Sequence, residues 1–354
     1  MNISITKTTT PRQKPDEKNL GFGKYMTDHM FTMDYDAEHG WHNAQIIPYG
    51  KIEVDPAAVV LHYAQETFEG LKAYRTSDDR ILLFRPEMNA KRMQNSNRRL
   101  CIPEIPVEDF VEAVKALVKV EADWVPREPG TSLYIRPFVF STDCQIGLHT
   151  SFVFKFVIVC SPVGAYYAAG VNPVKILVEE EFVRAVQGGT GFAKCGGNYA
   201  SSMLAQAKAE EKGYSQVLWL DGHERKYVEE VGSMNIMFKI NGEIYTAPID
   251  GTVLPGVTRD SIIHILKDWG YTVHEQRVAI DDLMKAGQDG SLEEAFGTGT
   301  AAVISPVGLL DYKGTQVTIN HFENGELTMK LYNYLTGIQW GREKDPYGWT
   351  IEVK

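Results

Sequence analysis

Gly188-Gly189-Thr190-Gly191-Phe192-Ala193-Lys194-Cys195-Gly196-Gly197-Asn198-Tyr199 places five glycines within ten residues around a single lysine. Glycine has no Cβ, so such a stretch lets backbone approach a bound molecule closely, at an entropic cost that a plain loop has no reason to carry. An amine stripped of neighbouring bulk points to a nucleophile. A nucleotide phosphate loop needs lysine directly after the last glycine and then Ser or Thr, whereas here Ala193 precedes Lys194 and Cys195 follows. That alternative fails on spacing. Taken alone, the segment also fits a flexible surface loop with a solvated lysine, so its surroundings have to decide.

Working outward, residues 174–178 read as a strand before the loop, and residues 200–212 as a helix closed by Gly213. Strands are predicted over 216–220, 235–240 and 243–247, the last two joined by an Asn241-Gly242 hairpin turn. Helices are predicted over 257–269, behind Pro255-Gly256, and over about 326–334. On the N-terminal side, strands are predicted over 51–54, 80–84, 132–140 and 152–160, with helices over 87–99 and 110–125. Residues 161–170 are rich in Pro, Gly and Ala and suit a linker. The expected division is a loose arm over 1–20, a small α/β domain over 21–163, a linker over 164–173 and a larger cofactor-binding domain over 174–354.

The 354 residues exceed one typical core, in line with two domains. With 44% hydrophobic and 23% charged residues the composition is that of a soluble globular protein. A net charge of −10 and no visible basic cluster argue against nucleic acid or an anionic membrane and leave a small-molecule substrate as the expectation. Cys101, Cys144, Cys160 and Cys195 have no paired spacing, so neither a disulfide framework nor a metal site is indicated, and a reducing cytoplasm fits. Met1 to Leu20 lacks the apolar core of a signal peptide.

A lysine condenses with a carbonyl only when neutral, which requires desolvation, nearby positive charge or a standing Schiff base. Pyridoxal phosphate offers both the carbonyl and an anion for a helix N-terminus. Leu254-Pro255-Gly256-Val257-Thr258-Arg259 is such a helix start, and Phe296-Gly297-Thr298-Gly299-Thr300-Ala301-Ala302 is a second small-residue turn. The pair Glu229-Glu230 precedes an apolar strand; beside a pyridine ring, a carboxylate there would keep the ring nitrogen protonated. Each feature taken singly is more often a plain turn or a solvated charge.

Together, GTGFAKCGGNYASS, EEVGSMNIMF, LPGVTRD and GTGTAAVISPVG resemble the branched-chain amino acid aminotransferases, pyridoxal-phosphate enzymes of fold type IV. The likeness runs from FGKYMTDHM at Phe22 to the C-terminal QWGREKDPYGWTIEV, through LHYAQETFEGLKAY, RPEMNAKRM and SLYIRPFVF. It implies a two-domain α/β (α+β) fold like that of D-amino acid aminotransferase. It implies Lys194 as the Schiff-base lysine and proton carrier, Tyr199 on the ring hydroxyl and Glu230 on the ring nitrogen. It further implies Arg92, Ser233, Val257, Thr258, Gly299 and Thr300 around the cofactor and its phosphate. The substrate pocket would be walled by Phe22, Tyr63, Phe68, Tyr134 and Tyr166, with Arg136 for a distant carboxylate and Thr300-Ala301 for the α-carboxylate.

One departure from the family pattern stands out. Where some members carry a Cys-x-x-Cys redox pair, this chain has Ala302 and Ser305. The resulting expectation is a cytoplasmic homodimer that moves an amino group between L-leucine, L-isoleucine or L-valine and 2-oxoglutarate. A D-amino acid aminotransferase or an aminodeoxychorismate lyase of the same fold is the alternative, as is a non-catalytic pyridoxal-phosphate carrier.

Overall fold

Apolar runs become strands and i, i+3, i+4 stripes become helices in two separate sets. The computed structural model describes residues 1–164 and 170–354. Unit 1 comprises Met1–Ala168, Ala193–Gly196 and Gly337–Lys354, and unit 2 comprises Ala169–Phe192 and Gly197–Thr336. Among the described residues no helix is long and apolar enough to cross a membrane.

Unit 1 contains β1 (Ser4–Ile5), β2 (His29–Asp36), β3 (Gly40–Pro48), β4 (Glu66–Phe68), β5 (Leu71–Arg75), β6 (Ile81–Phe84), β7 (Ser132–Ser141) and β8 (Phe154–Val163), with helices α1 (Val59–Tyr63), α2 (Pro86–Arg99) and α3 (Val107–Val120). One sheet runs β1-β3-β2-β8-β7-β5-β6 and ends on the C-terminal strand Thr350–Glu352, with β4 paired to β7. Phe110, Ala113, Val114, Leu117 and Val118 form the buried stripe of α3. The Phe110 ring stacks 6.0 Å from Phe156 of β8, which meets Phe31 of β2 edge-on at 5.7 Å. Burying each such ring stabilises by about 1.5–3 kcal/mol, and α2 packs against the helix so fixed. On α2, Asn89, Arg92 and Ser96 share one face by their spacing and are all buried although polar.

Several expectations change in unit 1. The N-terminal arm is not loose: Ser4–Ile5 adds a parallel strand to β3, and the Thr8 N–H donates to His29 Nε2 at 2.9 Å. Residues 337–354 and 193–196 group with unit 1 and not with the second domain; in the former, Thr350–Glu352 pairs with β6. Residues 51–54 form no strand. Among the described residues no strand pairs with them, a requirement that local alternation cannot supply. The helix expected over 110–125 spans Val107–Val120 and gives way to a 3₁₀ turn at Ala122–Trp124. Half of the linker expected over 164–173 lies outside the described residues.

Unit 2 continues with β9 (Val174–Val178), β10 (Gln216–Leu220), β11 (Val228–Val231), β12 (Met234–Ile240), β13 (Glu243–Thr246), β14 (Val273–Glu275), β15 (Leu292–Gly299), β16 (Val303–Tyr312) and β17 (Thr315–Thr318). The helices among and after these strands are α4 (Gly196–Ala200), α5 (Met203–Glu211), α6 (Val257–Asp268), α7 (Ile280–Asp289) and α8 (Glu326–Gln339), of which Gly196 and residues 337–339 group with unit 1. The strand order is β11-β10-β9-β16-β15-β12-β13-β14, and β11 also pairs with β12, so the first six close into a ring. The Asn241-Gly242 turn joins β12 to β13 as its spacing predicts, both residues having positive φ. The helix expected over 200–212 is interrupted between α4 and α5. Ser201 and Ser202 hydroxyls donate to the carbonyls of Asn198 and Tyr199 at 3.1 and 2.7 Å and compete there with the helix backbone.

Candidate active site

Lys194 belongs to unit 1 although the glycine-rich residues on both sides of Ala193–Gly196 belong to unit 2. Its backbone is held at two points. The N–H donates to Ser96 Oγ on α2 at 2.8 Å, and the carbonyl accepts from the Phe68 N–H at the end of β4 at 3.0 Å. Ser96 in turn donates to the Arg92 carbonyl at 3.0 Å, and the Gly196 N–H donates to the Glu66 carboxylate. The amine stands 4.7 Å from the centre of the Phe68 ring. Desolvation first, and the Arg92 charge second, bring its pKa from 10.5 down to about 8, with Glu69 opposing. An amine at that pKa is neutral in a substantial fraction near pH 8, the form that attacks a carbonyl.

Arg92 Nε and Nη2 each donate to Glu69 at 2.8 Å, and Asn89 Nδ2 adds a third bond of 2.8 Å. Burial pushes the Glu69 pKa up, but Arg92 and these bonds outweigh it and hold the carboxyl below its ordinary range. Arg92 is therefore no solvated helix arginine; it is 8% exposed.

The alternation of β7 turns Leu133, Ile135 and Val139 into the core and Tyr134 and Arg136 to its other face. Arg136 lies 4.8 Å from the Phe68 ring and 5.3 Å from the Tyr134 ring, and its Nη2 donates to the Tyr134 hydroxyl at 2.9 Å. Its Nε is buried and has no partner. Phe22 meets Tyr134 edge-on at 4.9 Å. A Cβ at Gly70 would come within 2.2 Å of the Tyr134 oxygen, so only glycine leaves the ring its place. Phe22, Phe68, Tyr134, Arg136, Arg92 and Lys194 are thus linked within unit 1. Tyr63 has other partners: its hydroxyl donates to the Ile146 carbonyl at 2.5 Å, and it lines a cavity with Arg99, Leu148 and His149. Tyr166 lies outside the described residues.

In unit 2, strand register lines up Glu230 of β11, Asn235 of β12 and Thr298 of β15. Glu230 Oε1 accepts from the Leu254 N–H at 2.7 Å and lies 3.2 Å from Arg184 Nη2, both side chains buried. Asn235 Nδ2 donates to the Leu254 carbonyl at 2.9 Å. Leu254 is clipped on both sides, which aims the chain through Pro255 and Gly256 into α6. A Cβ at Gly256 would strike Asn235 Oδ1 at 2.0 Å. No side chain caps this helix, and Val257 and Thr258 are buried in its first turn. Thr298 Oγ1 is buried with no partner. Gly299 ends β15, and Thr300 and Ala301 form the half-buried turn to β16. Tyr199 is half-buried on α4, and the loop before it is clipped by reciprocal bonds of 2.7 and 2.8 Å between Thr190 and Asn198. Ser233 is exposed at the β11–β12 turn.

These donor sets fit pyridoxal phosphate. An uncapped helix start offers backbone N–H groups to a phosphate, the orphaned Thr298 hydroxyl awaits a polar partner, the buried Glu230 suits a cationic ring nitrogen, and the desolvated Lys194 amine suits the aldehyde. Ser96, Glu69, Arg184, Asn235 and Thr298 were not singled out in the sequence. The three- and four-residue spacing of Asn89, Arg92 and Ser96 was an available signal for α2. Nothing local distinguishes Thr298 from Thr300 in GTGT.

Comparison with known proteins agrees with this chemistry. Residues 66–310 match the family described as amino-transferase class IV, whose members use pyridoxal phosphate. The chain is 57% identical over 351 residues to branched-chain-amino-acid aminotransferase 2 of Bacillus subtilis, covering 99% of this chain and 97% of the relative. It is 53% identical to a probable branched-chain-amino-acid aminotransferase of Staphylococcus epidermidis, covering 99% and 98%. Among solved structures, the Escherichia coli branched-chain amino acid aminotransferase superposes with a TM-score of 0.78 at 26% identity, covering 92% of this chain and 99% of that one. The T.th. branched-chain amino acid aminotransferase complexed with N-(5'-phosphopyridoxyl)-L-glutamate gives 0.75 at 28% identity, covering 95% and 99%. With a lysine, a carboxylate and a helix start of the kinds this chemistry needs, and with relatives matching over nearly its full length, the chain belongs to the branched-chain-amino-acid aminotransferases of amino-transferase class IV.

Proposed function

We propose that this chain transfers the amino group between L-leucine, L-isoleucine or L-valine and 2-oxoglutarate. The observation that carries this reading is the group around Lys194 in unit 1: Phe68, Tyr134 and Phe22 offer aromatic surface to an aliphatic side chain, and Arg136 offers one cation to the second carboxylate of glutamate. The T.th. relative complexed with a phosphopyridoxyl-glutamate supports glutamate as the partner substrate. When bound, pyridoxal phosphate supplies a carbonyl for the amine and a ring that withdraws electrons as the substrate Cα–H bond breaks. Lys194 Nζ would carry the proton between the substrate Cα and the cofactor's C4′. Glu230 holds positive charge at the ring nitrogen, Tyr199 bonds the ring hydroxyl, and Arg92, Ser233, Val257, Thr258, Gly299 and Thr300 hold the cofactor and its phosphate. Thr300 and Ala301 bind the α-carboxylate. Assaying the purified protein against L- and D-amino acids with 2-oxoglutarate tests the proposal; turnover of D-amino acids without turnover of leucine overturns it.

Glu230→Gln keeps the bond to the Leu254 N–H through its side-chain oxygen but loses the charge. Hydrogen bonds to charged groups are worth about 1.5–3 kcal/mol, so Cα deprotonation of leucine should slow by roughly 10- to 150-fold. Single-turnover absorbance of the bound cofactor measures this, and unchanged kinetics would remove Glu230 from the ring-nitrogen role.

No thiol occupies the β15–β16 turn region, where Ala302 and Ser305 are both buried. Mild peroxide followed by a thiol reductant should therefore leave activity without a reversible component from this turn. Loss and recovery with no oxidation mapped to another cysteine, such as the buried Cys195, would contradict this.

A cytoplasmic homodimer completes the proposal. Its support in unit 1 is an exposed apolar set, Leu61, Ile146, Leu148 and Phe152, each more than 60% exposed. Sedimentation at micromolar concentration tests it.

A further inference from the structure

At the tip of the β2–β3 hairpin, Asp36, His39 and His42 turn their polar atoms toward one another. Among the described residues they are the one set of three such side chains whose ligand atoms all lie within 4.8 Å. His39 Nδ1 is 2.9 Å from Asp36 Oδ1, and His42 Nε2 is 3.6 Å from Asp36 Oδ2. We propose that these residues bind a divalent transition ion of the zinc class through one carboxylate oxygen and two imidazole nitrogens, with water completing the shell.

The hairpin fixes the three donors before any ion arrives. Register opposes Asp36 to Gly40 and Asp34 to His42, which puts Asp36 and His42 on one face of the ribbon. Asp36 Oδ1 also accepts from the N–H groups of Glu38 and His39 at 2.9 and 2.8 Å, so the carboxylate is oriented by the turn itself. Asp34 is engaged elsewhere, with Lys155 and Asn43. The anion left for the site is Asp36.

The orientation of the His42 ring suits an ion. Its Nδ1 lies 2.9 Å from the Gly40 carbonyl, which can only accept, so Nδ1 bears a hydrogen and Nε2 is the ring nitrogen left for an ion. This is the outer hydrogen bond that metal-binding imidazoles characteristically make. That nitrogen faces a carboxylate oxygen at 3.6 Å, too far for a hydrogen bond. Donors bound tetrahedrally at about 2.0–2.2 Å from one metal stand roughly 3.3–3.6 Å apart. The Asp36–His42 separation already has that value, all three ligand atoms lie within 4.8 Å of one another, and His39 Nδ1, 2.9 Å from Asp36 Oδ1, would open by about half an ångström. Two imidazoles and one carboxylate suit zinc, cobalt or nickel better than calcium or magnesium, which prefer all-oxygen sets. The His39 side chain is 57% exposed, which leaves room for water ligands.

The test uses holoenzyme freed of metal by a chelator and titrated with Co²⁺ and Zn²⁺, followed by calorimetry and by cobalt visible absorption. The expected result is one equivalent bound with a micromolar dissociation constant, lost in His39→Asn/His42→Asn. Asp36→Asn keeps the turn-capping oxygen while removing the charge, and should weaken binding by more than about tenfold, since even outer partners of a metal site are worth 10- to 100-fold. His149→Asn, which removes a separate histidine facing Asp143 at 3.3 Å, should change nothing. Leucine turnover and the circular dichroism of the variants in chelator should equal those of the parent. Equal stoichiometry and affinity in the parent and the double histidine variant, or parent binding no tighter than millimolar, overturns the proposal.

Discussion

Lys194→Ala should reduce steady transamination by at least about 10²–10⁴-fold, the contribution of one positioned acid–base group. The main chain at this position is anchored by Ser96 Oγ and the Phe68 N–H, neither of which involves the side chain, so the protein should fold and still hold its cofactor non-covalently. The variant isolates chemistry from structure. A competitor exists within unit 1: Lys72 on β5 is buried, and desolvation alone brings it too to about 8. Perturbed basicity therefore does not choose between the two lysines. What favours Lys194 is the glycine-rich chain around it. Borohydride reduction and peptide mapping decide the matter. A cofactor-derived label on Lys72, or on any lysine but Lys194, would take Lys194 out of the mechanism.

Arg136→Met should separate the two substrates. Only glutamate brings a second carboxylate, and removing one partner of a desolvated, hydrogen-bonded charge pair costs about 2–5 kcal/mol, or roughly 30-fold or more in kcat/KM. The unpartnered Nε and the Nη2 bond to the Tyr134 hydroxyl show a guanidinium half satisfied by protein and poised for a further acceptor. Methionine keeps the apolar stem between the Phe68 and Tyr134 rings, so leucine should lose much less. Rapid mixing of each half-reaction gives the two constants. An equal fall for both would mean that Arg136 shapes the pocket or supports the cofactor, and that the dual-substrate role is wrong.

Local chemistry was enough to find the elements whose reasons are local. The α3 stripe, the Asn241-Gly242 turn, the helix start at Pro255-Gly256 and the lysine in its glycine frame are each set by residues within a few positions of one another, and their sequence carries them directly. Family likeness then supplied roles, because the order of motifs is preserved along the chain. Pairing was another matter. Whether residues 51–54 become a strand, or whether Ser4–Ile5 and Thr350–Glu352 do, depends on which free edge each meets, and that is decided tens or hundreds of residues away. The same holds for the buried polar groups. Arg92 looks solvated until Glu69 and Asn89 close around it, Ser96 is an ordinary helix serine until it accepts the Lys194 N–H, and Thr298 acquires its place only through the register of β12 and β15. Burying a polar side chain is unfavourable unless its partner is already there, so which polar residues go inside follows from the assembled fold and not from their neighbours in sequence.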